Sequence, residues 1–214
     1  MYIPGFNRVD EGEKVHAFIH AYGFATVVTD YLGRPWASHL PTLLDEGTKT
    51  LRSHMARANE QWKHFNRERE VLCIFHGPHA YISPSWYVDQ HTVPTWNYAA
   101  IHVYGVPTVV DDSEALRQIV FDTTAKFESL MPQPWQISLS EAELDGMLKA
   151  IVGFTIAITK VEAKFKLGQN RSPEDRAGTV IGLAASNHLP SIELAEFTKA
   201  QLEMGSIATK VRAP

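Results

Sequence analysis

Three stretches decide the fold of this chain: SHMARANEQW at 53–62, IFHGPHAYISPSWY at 74–87 and VPTWNYAAIHVYG at 93–105. All are dense in Trp, Tyr, His and Asn. A segment that only filled a barrel would be mostly Val, Ile and Leu, because each buried indole N–H, phenol and imidazole needs a partner. So many polar-tipped aromatics point to a lined pocket.

Working outward, the opening MYIPGFNRVD reads as an extended arm. Asp10 with Glu13 three residues on has the capping-box pattern of a helix that stops at Gly23, with Val15, Phe18, Ile19 and Tyr22 on one face. FATVVTD and RPWASHLP flank the turn YLGR as a β-hairpin does, Gly33 supplying the special dihedral. KTLRSHMA gives a third strand and leads into a helix over 57–65. Further strands are expected over 70–75, 79–82 and 95–110, and short strands at regular spacing point to a barrel. A helix over 112–130, capped by Asp112 or Ser113, places Leu116, Ile119, Val120, Thr123 and Phe127 on one face. Ser140 and Glu143 form a second capping box. The strand over 152–167 changes phase: Phe154, Ile156 and Ile158 give way to Val161, Ala163, Phe165 and Leu167, so a bulge or an exit from the barrel is expected near Lys160. Helices over 173–186 and 192–204 follow. No repeat or linker interrupts the pattern, which predicts one domain over 1–214.

The 214 residues are 44% hydrophobic, enough for a sizeable core. Twenty Lys and Arg against 24 Asp and Glu leave a net charge of −4, so no overall field favours nucleic acid or an anionic membrane. The one cysteine, Cys73, lies in an apolar run and reads as an inert buried thiol. No apolar span of about 18 residues or signal peptide is present. The expectation is a soluble cytoplasmic protein.

Ten histidines raise the question of a metal. His16 and His20 share a helix face, and His76 and His79 are three apart, but neither pair has a carboxylate or cysteine at ligand spacing in sequence, so no metal is expected. There is no Gly-x-Ser-x-Gly elbow and no Gly-x-Gly-x-x-Gly. An anion site is better supported: Arg52, Ser53, His54, Arg57 and Asn59 lie where a strand hands over to a helix, whose free N–H groups suit a phosphate, and Arg57 can bind one bidentately. Two readings stand here, the other being that Ser53 and Asn59 cap the helix while the arginines are solvated.

HMARANEQW, GPHAYISPSWY, VPTWNY, HVYG and KFKLGQNR at 164–171, in this order, resemble the PaiB-type family of FMN-binding split-barrel proteins, often labelled negative transcriptional regulators. The resemblance implies a six-stranded antiparallel, Greek-key-like split barrel with flanking helices, related to the pyridoxamine-phosphate-oxidase-like flavoproteins. It also implies a homodimer with FMN at the subunit interface. Carried over by position, Ser38, His39 and Leu40 run along the isoalloxazine, Arg52, Ser53 and His54 continue toward the ribityl chain, and Arg57 and Asn59 meet the phosphate. Tyr81, Trp86, Trp96 and Tyr98 cover the flavin, seal the dimer, or simply pack. Gln169, Asn170 and Arg171 serve the second subunit's flavin or cap a helix. The function implied is a flavin-dependent redox protein with a nicotinamide or small-molecule redox partner, or a flavin-linked regulator. The alternative is a transcriptional repressor acting on DNA directly or through a protein. Direct DNA contact is disfavoured because 172–205 carries five acidic and two basic residues.

Overall fold

The computed structural model describes the backbone of residues 1–211 and the side chains of 1–203. Six strands close into a barrel in the order β1-β2-β3-β6-β5-β4: β1 Phe24–Tyr31, β2 Arg34–Asp45, β3 Thr50–Ala56, β4 Val71–Ile82, β5 Thr95–Val110 and β6 Ile151–Lys166. The helices are α1 Gly12–Ala21, α2 Ser113–Glu128, α3 Glu141–Leu148, α4 Pro173–Ala184 and α5 Leu189–Val211. The mainly-β barrel with flanking helices is therefore the fold. Among the described residues no helix is long and apolar enough to cross a membrane.

Contacts divide the chain into two compact units, with β4, β5 and β6 each contributing to both. The first comprises Glu11–Phe75 and Ile101–Glu162. Its hairpin pairs Phe24 with Pro41 through to Tyr31 with Arg34, around a turn in which Leu32 (φ 53°) and Gly33 (φ 79°) are both left-handed, as a tight hairpin turn requires. β3 pairs antiparallel with β2 and with β6, Ser53 opposite Thr42 and Phe154. Leu51, Phe75, Ile101, Phe154 and Ile156 are fully buried. Burying each such side chain contributes about 1.5–3 kcal/mol. Asp112 caps α2 by accepting from Ala115 N, and the Ser140–Glu143 capping box of α3 is complete.

The second unit holds Met1–Asp10, His76–Ala100 and the chain from Ala163 onward. Ile82, Ala99, Phe165, Leu183 and Leu194 form its interior, with Phe165 edge-on to Phe197 at 5.2 Å. The buried alternation of β6 moves from Val152, Phe154 and Ile156 to Ala163, Phe165 and Leu167, so the phase change is real.

Three expectations are corrected. α1 begins at Gly12 after Glu11 and has no side-chain cap, so the Asp10–Glu13 box is not made. The strands expected over 70–75 and 79–82 are one continuous β4, with Gly77 and Pro78 buried within it. The helix expected over 57–65 is only a 3-10 turn, Glu60–His64, because Asn59 is extended (φ −77°, ψ 107°) and its side chain accepts from Gln61 N.

Candidate functional site

Within the first unit, β2 and β3 and the turn that follows them bring several predicted residues together. Ser38 Oγ accepts from Asn59 Nδ2 at 2.8 Å, while Asn59 Oδ1 accepts from Gln61 N at 3.1 Å. The exposed His39 is held by Thr26, Oγ1 to Nδ1 at 3.0 Å, and stacks on Phe24. Leu40 is buried, so only its backbone is free to face a ligand. Alternation on β3 sends Arg52 and His54 one way and Ser53 the other. Arg52 Nη1 pairs with Asp122 of α2 at 2.8 Å, leaving a buried Nε without a partner. Burial lowers the His54 pKa, and its Nδ1 is also buried and unpartnered. Ser53 is buried and donates to Pro41 O at 2.7 Å.

Arg57 is partly spent within the fold. Its Nε donates to Lys149 O and its Nη2 to Ile151 O, both at 2.8 Å, so the guanidinium ties the β3 end to the start of β6 and leaves Nη1 and the second Nη2 hydrogen for a ligand. The five-residue 3-10 turn also supplies no helix terminus for a phosphate.

In the second unit, Trp96 is 55% exposed and lies 6.3 Å from both Tyr81 and His79, centroid to centroid. Gln169 closes the turn after β6: its Oε1 accepts from Leu167 N at 2.8 Å and its Nε2 donates to Phe165 O. Asn170 is exposed. Arg171 lies 4.5 Å over the Tyr87 ring and donates to Thr92 Oγ1 at 3.2 Å. Around it stand Lys164, which is buried and donates to Tyr2 O, and Lys166, which donates to Trp96 O at 2.6 Å. Desolvation, then Lys164 and Arg171, lower the Lys166 pKa. The Arg176 Nε is buried without a partner.

Sequence reasoning missed Gln61, Lys126 and Glu46. Gln61 is fully buried and its Nε2 donates to Val27 O and Trp36 O, bracing the hairpin. Its position one turn of chain beyond β3, in QW, was the available signal. Glu46, in the β2–β3 turn, accepts from both His16 and His20 at 3.0 Å, so the helix pair has a carboxylate that sequence spacing hid. The His76 and His79 rings lie 4.5 Å apart. Among the described residues no three such groups could hold a metal. Cys73 is buried and its thiol is pushed up to about 12, which makes it inert.

Residues 1–160 match the family described as "Putative FMN-binding domain". The chain is 35% identical over 207 residues, 95% of its length and 99% of the relative's, to the Bacillus subtilis protease synthase and sporulation protein PAI 2. It is 31% identical over 186 residues to an uncharacterised protein of Emericella nidulans, covering 68% of this chain and 74% of that one. In fold it is similar to the flavocytochrome Anf3 of Azotobacter vinelandii (TM-score 0.60, 16% identity, 80% of this chain and 75% of that chain). It is equally similar to the FAD and heme binding protein of Mycobacterium smegmatis (TM-score 0.60, 16% identity, 80% and 79%). A split barrel with this match over most of its length makes the chain a member of the FMN-binding domain family to which it is matched, related along nearly its whole length to PAI 2.

Proposed function

We propose that the protein is an FMN-dependent redox protein that works as a homodimer. The observation that supports it is the cation cluster of the second unit. Lys164, Lys166, Arg171 and Arg176 stand there without an ion pair to any described carboxylate, and one guanidinium nitrogen is buried and unpartnered. Uncompensated cations call for an electron-rich partner, and the carbonyls of a second copy's isoalloxazine are suited to these donors.

The residues that would hold the flavin are Ser38, His39 and the Leu40 backbone along the ring, Arg52 and His54 toward the ribityl chain with Ser53 bracing the strand from its other face, and Asn59 and Arg57 toward the phosphate. Trp96, Gln169, Asn170 and Arg171 serve the flavin of the second copy, Gln169 by shaping the turn that carries the other two. When bound, FMN supplies the electron-accepting ring. The protein's part is orientation: Thr26 fixes the His39 ring, Asn59 fixes Ser38, and Tyr87 with Thr92 fixes Arg171. A nicotinamide or other small-molecule donor would deliver the electrons in the cytoplasm.

Anaerobic mixing of the FMN-loaded protein with NADH or NADPH tests this, with bleaching of the flavin band expected. No reduction by either, and no turnover with a panel of small-molecule acceptors after chemical reduction, would overturn the redox reading. The regulatory reading rests on the family label, and the acidic α4 and α5 oppose direct DNA contact. Sequence-selective retardation of DNA at moderate salt would reverse that preference.

A further inference from the structure

Beside the turn that Arg57 ties down, a cleft of about 840 Å³ opens between the ends of β3 and β5 and the helices α2 and α3. That volume falls in the range of small-molecule sites, about 300–1,000 Å³. Its apolar lining is Trp62, Leu116 and Leu148, and the Trp62 indole is fixed by donating to Arg57 O at 3.0 Å. Its charges are divided by element, and Arg57, also in the lining, spends Nε and one Nη2 hydrogen on Lys149 O and Ile151 O. Arg117 is neutralised within the lining by Glu141 and Asp145. Among the described residues Asp111 and Glu114, where β5 passes into α2, have no cationic partner, and the Lys149 ammonium at the end of α3 has no anionic one. No ion pair joins Lys149 to either carboxylate, so the two signs stand more than 4.0 Å apart.

We propose that this cleft binds a zwitterion with an apolar body, an α-amino acid with an aromatic or large aliphatic side chain. The ammonium is taken by Asp111 and Glu114, the carboxylate by Lys149, and the side chain by Trp62, Leu116 and Leu148. The two free carboxylates are not needed to cap α2, since the Asp112 side chain already accepts from Ala115 N at 2.8 Å. Acidic residues near a helix start do favour the helix dipole. That role predicts a stability effect on their removal and no selectivity among ligands. This assignment goes beyond the flavin reading, and of the residues proposed for the flavin the cleft shares only Arg57.

Isothermal titration of the FMN-loaded protein with phenylalanine, phenethylamine and 3-phenylpropionate tests it, because the last two each lack one charge. Phenylalanine is expected to bind at least about tenfold more tightly than either, a difference of about 1.4 kcal/mol. In Asp111→Asn/Glu114→Gln, phenylalanine should fall to the affinity of 3-phenylpropionate, which stays unchanged. In Lys149→Gln it should weaken at least about threefold toward that of phenethylamine, the Arg57 guanidinium being the other cation of the lining. No binding of phenylalanine, equal binding of all three, or tighter binding of the amine alone would overturn the proposal. If a variant fails to fold, the wild-type ranking alone still decides.

Discussion

Arg57 spends Nε and one Nη2 hydrogen on the carbonyls of Lys149 and Ile151, so at the proposed phosphate position it offers only its Nη1/Nη2 end. Arg57→Ala should therefore weaken FMN binding by about 1.5–3 kcal/mol and riboflavin binding much less, since riboflavin has no phosphate. Titration of flavin fluorescence with both ligands checks this, and equal losses would mean that Arg57 acts through the turn it closes. Lys126 presents the opposite situation. Its Nζ is buried 5.6 Å over the Phe127 ring, with no hydrogen-bond partner among the described residues, and a Cβ on Gly23 would stand 3.0 Å from it. Burial lowers its pKa. The unfolded value lies near 10.4, so the cost of burying the charge is fully present below the folded pKa and fades as pH rises toward the unfolded one. Lys126→Met should stabilise by about 1 kcal/mol near neutrality, with a smaller gain at alkaline pH. Urea unfolding at both pH values measures it, and destabilisation at both would show that the ammonium is satisfied after all.

At the scale of elements, α4 carries a notch cut by Gly178 and Gly182, into which Trp86 fits. A Cβ on Gly178 would stand 2.2 Å from Trp86 O, and one on Gly182 2.4 Å from its ring. Glycine to alanine inside a helix normally gains about 1 kcal/mol. Here a backbone carbonyl blocks the methyl, and moving it would also disturb the Val88 N to Asp175 Oδ1 bond. Gly178→Ala should thus lose about 2 kcal/mol net. A higher Tm in calorimetry would show that no notch exists. Local signals of this kind explain what could be read in advance. Asp112, Ser140 with Glu143, Gly33 and the alternation of β5 each act on their own neighbours, and the elements they mark form as expected. The turn after β3 was misread because the Asn59 side chain captures Gln61 N and delays the helix start to Glu60, which propensity does not report. Glu46, reaching two histidines on α1, and Asp122, reaching Arg52, are partners distant in sequence, visible only once α1 and α2 are placed. The polar residues of the candidate site were legible as types, but whether each donor is free or already spent was not.

For the whole molecule the unresolved demand is exposed aromatic surface. Trp96 is 55% exposed and Tyr81 48% in the second unit, and Phe24 is 64% and Trp36 41% exposed in the first. Within the second unit the exposed Tyr81 and Trp96 rings lie 6.3 Å apart, and adjoining open rings of this kind mark an interaction surface more often than a solvent face. A second copy of the chain is the partner that closed symmetry favours. If Trp96 sits in such an interface, light scattering should give twice the 24.0 kDa chain mass, with one FMN per chain. Trp96→Asp places a charge in a buried contact, which is costly when unpaired. It should yield a monomer, and on the proposal that Asn170 and Arg171 serve the other copy's flavin, FMN affinity should fall in the same variant by at least about tenfold. The circular dichroism of the monomer should stay that of the parent, since Trp96 packs at the surface of its own chain. A Trp96→Asp monomer that binds FMN as tightly as the parent would mean that each chain holds its flavin alone, and the shared-site reading would fail while the fold assignment stood.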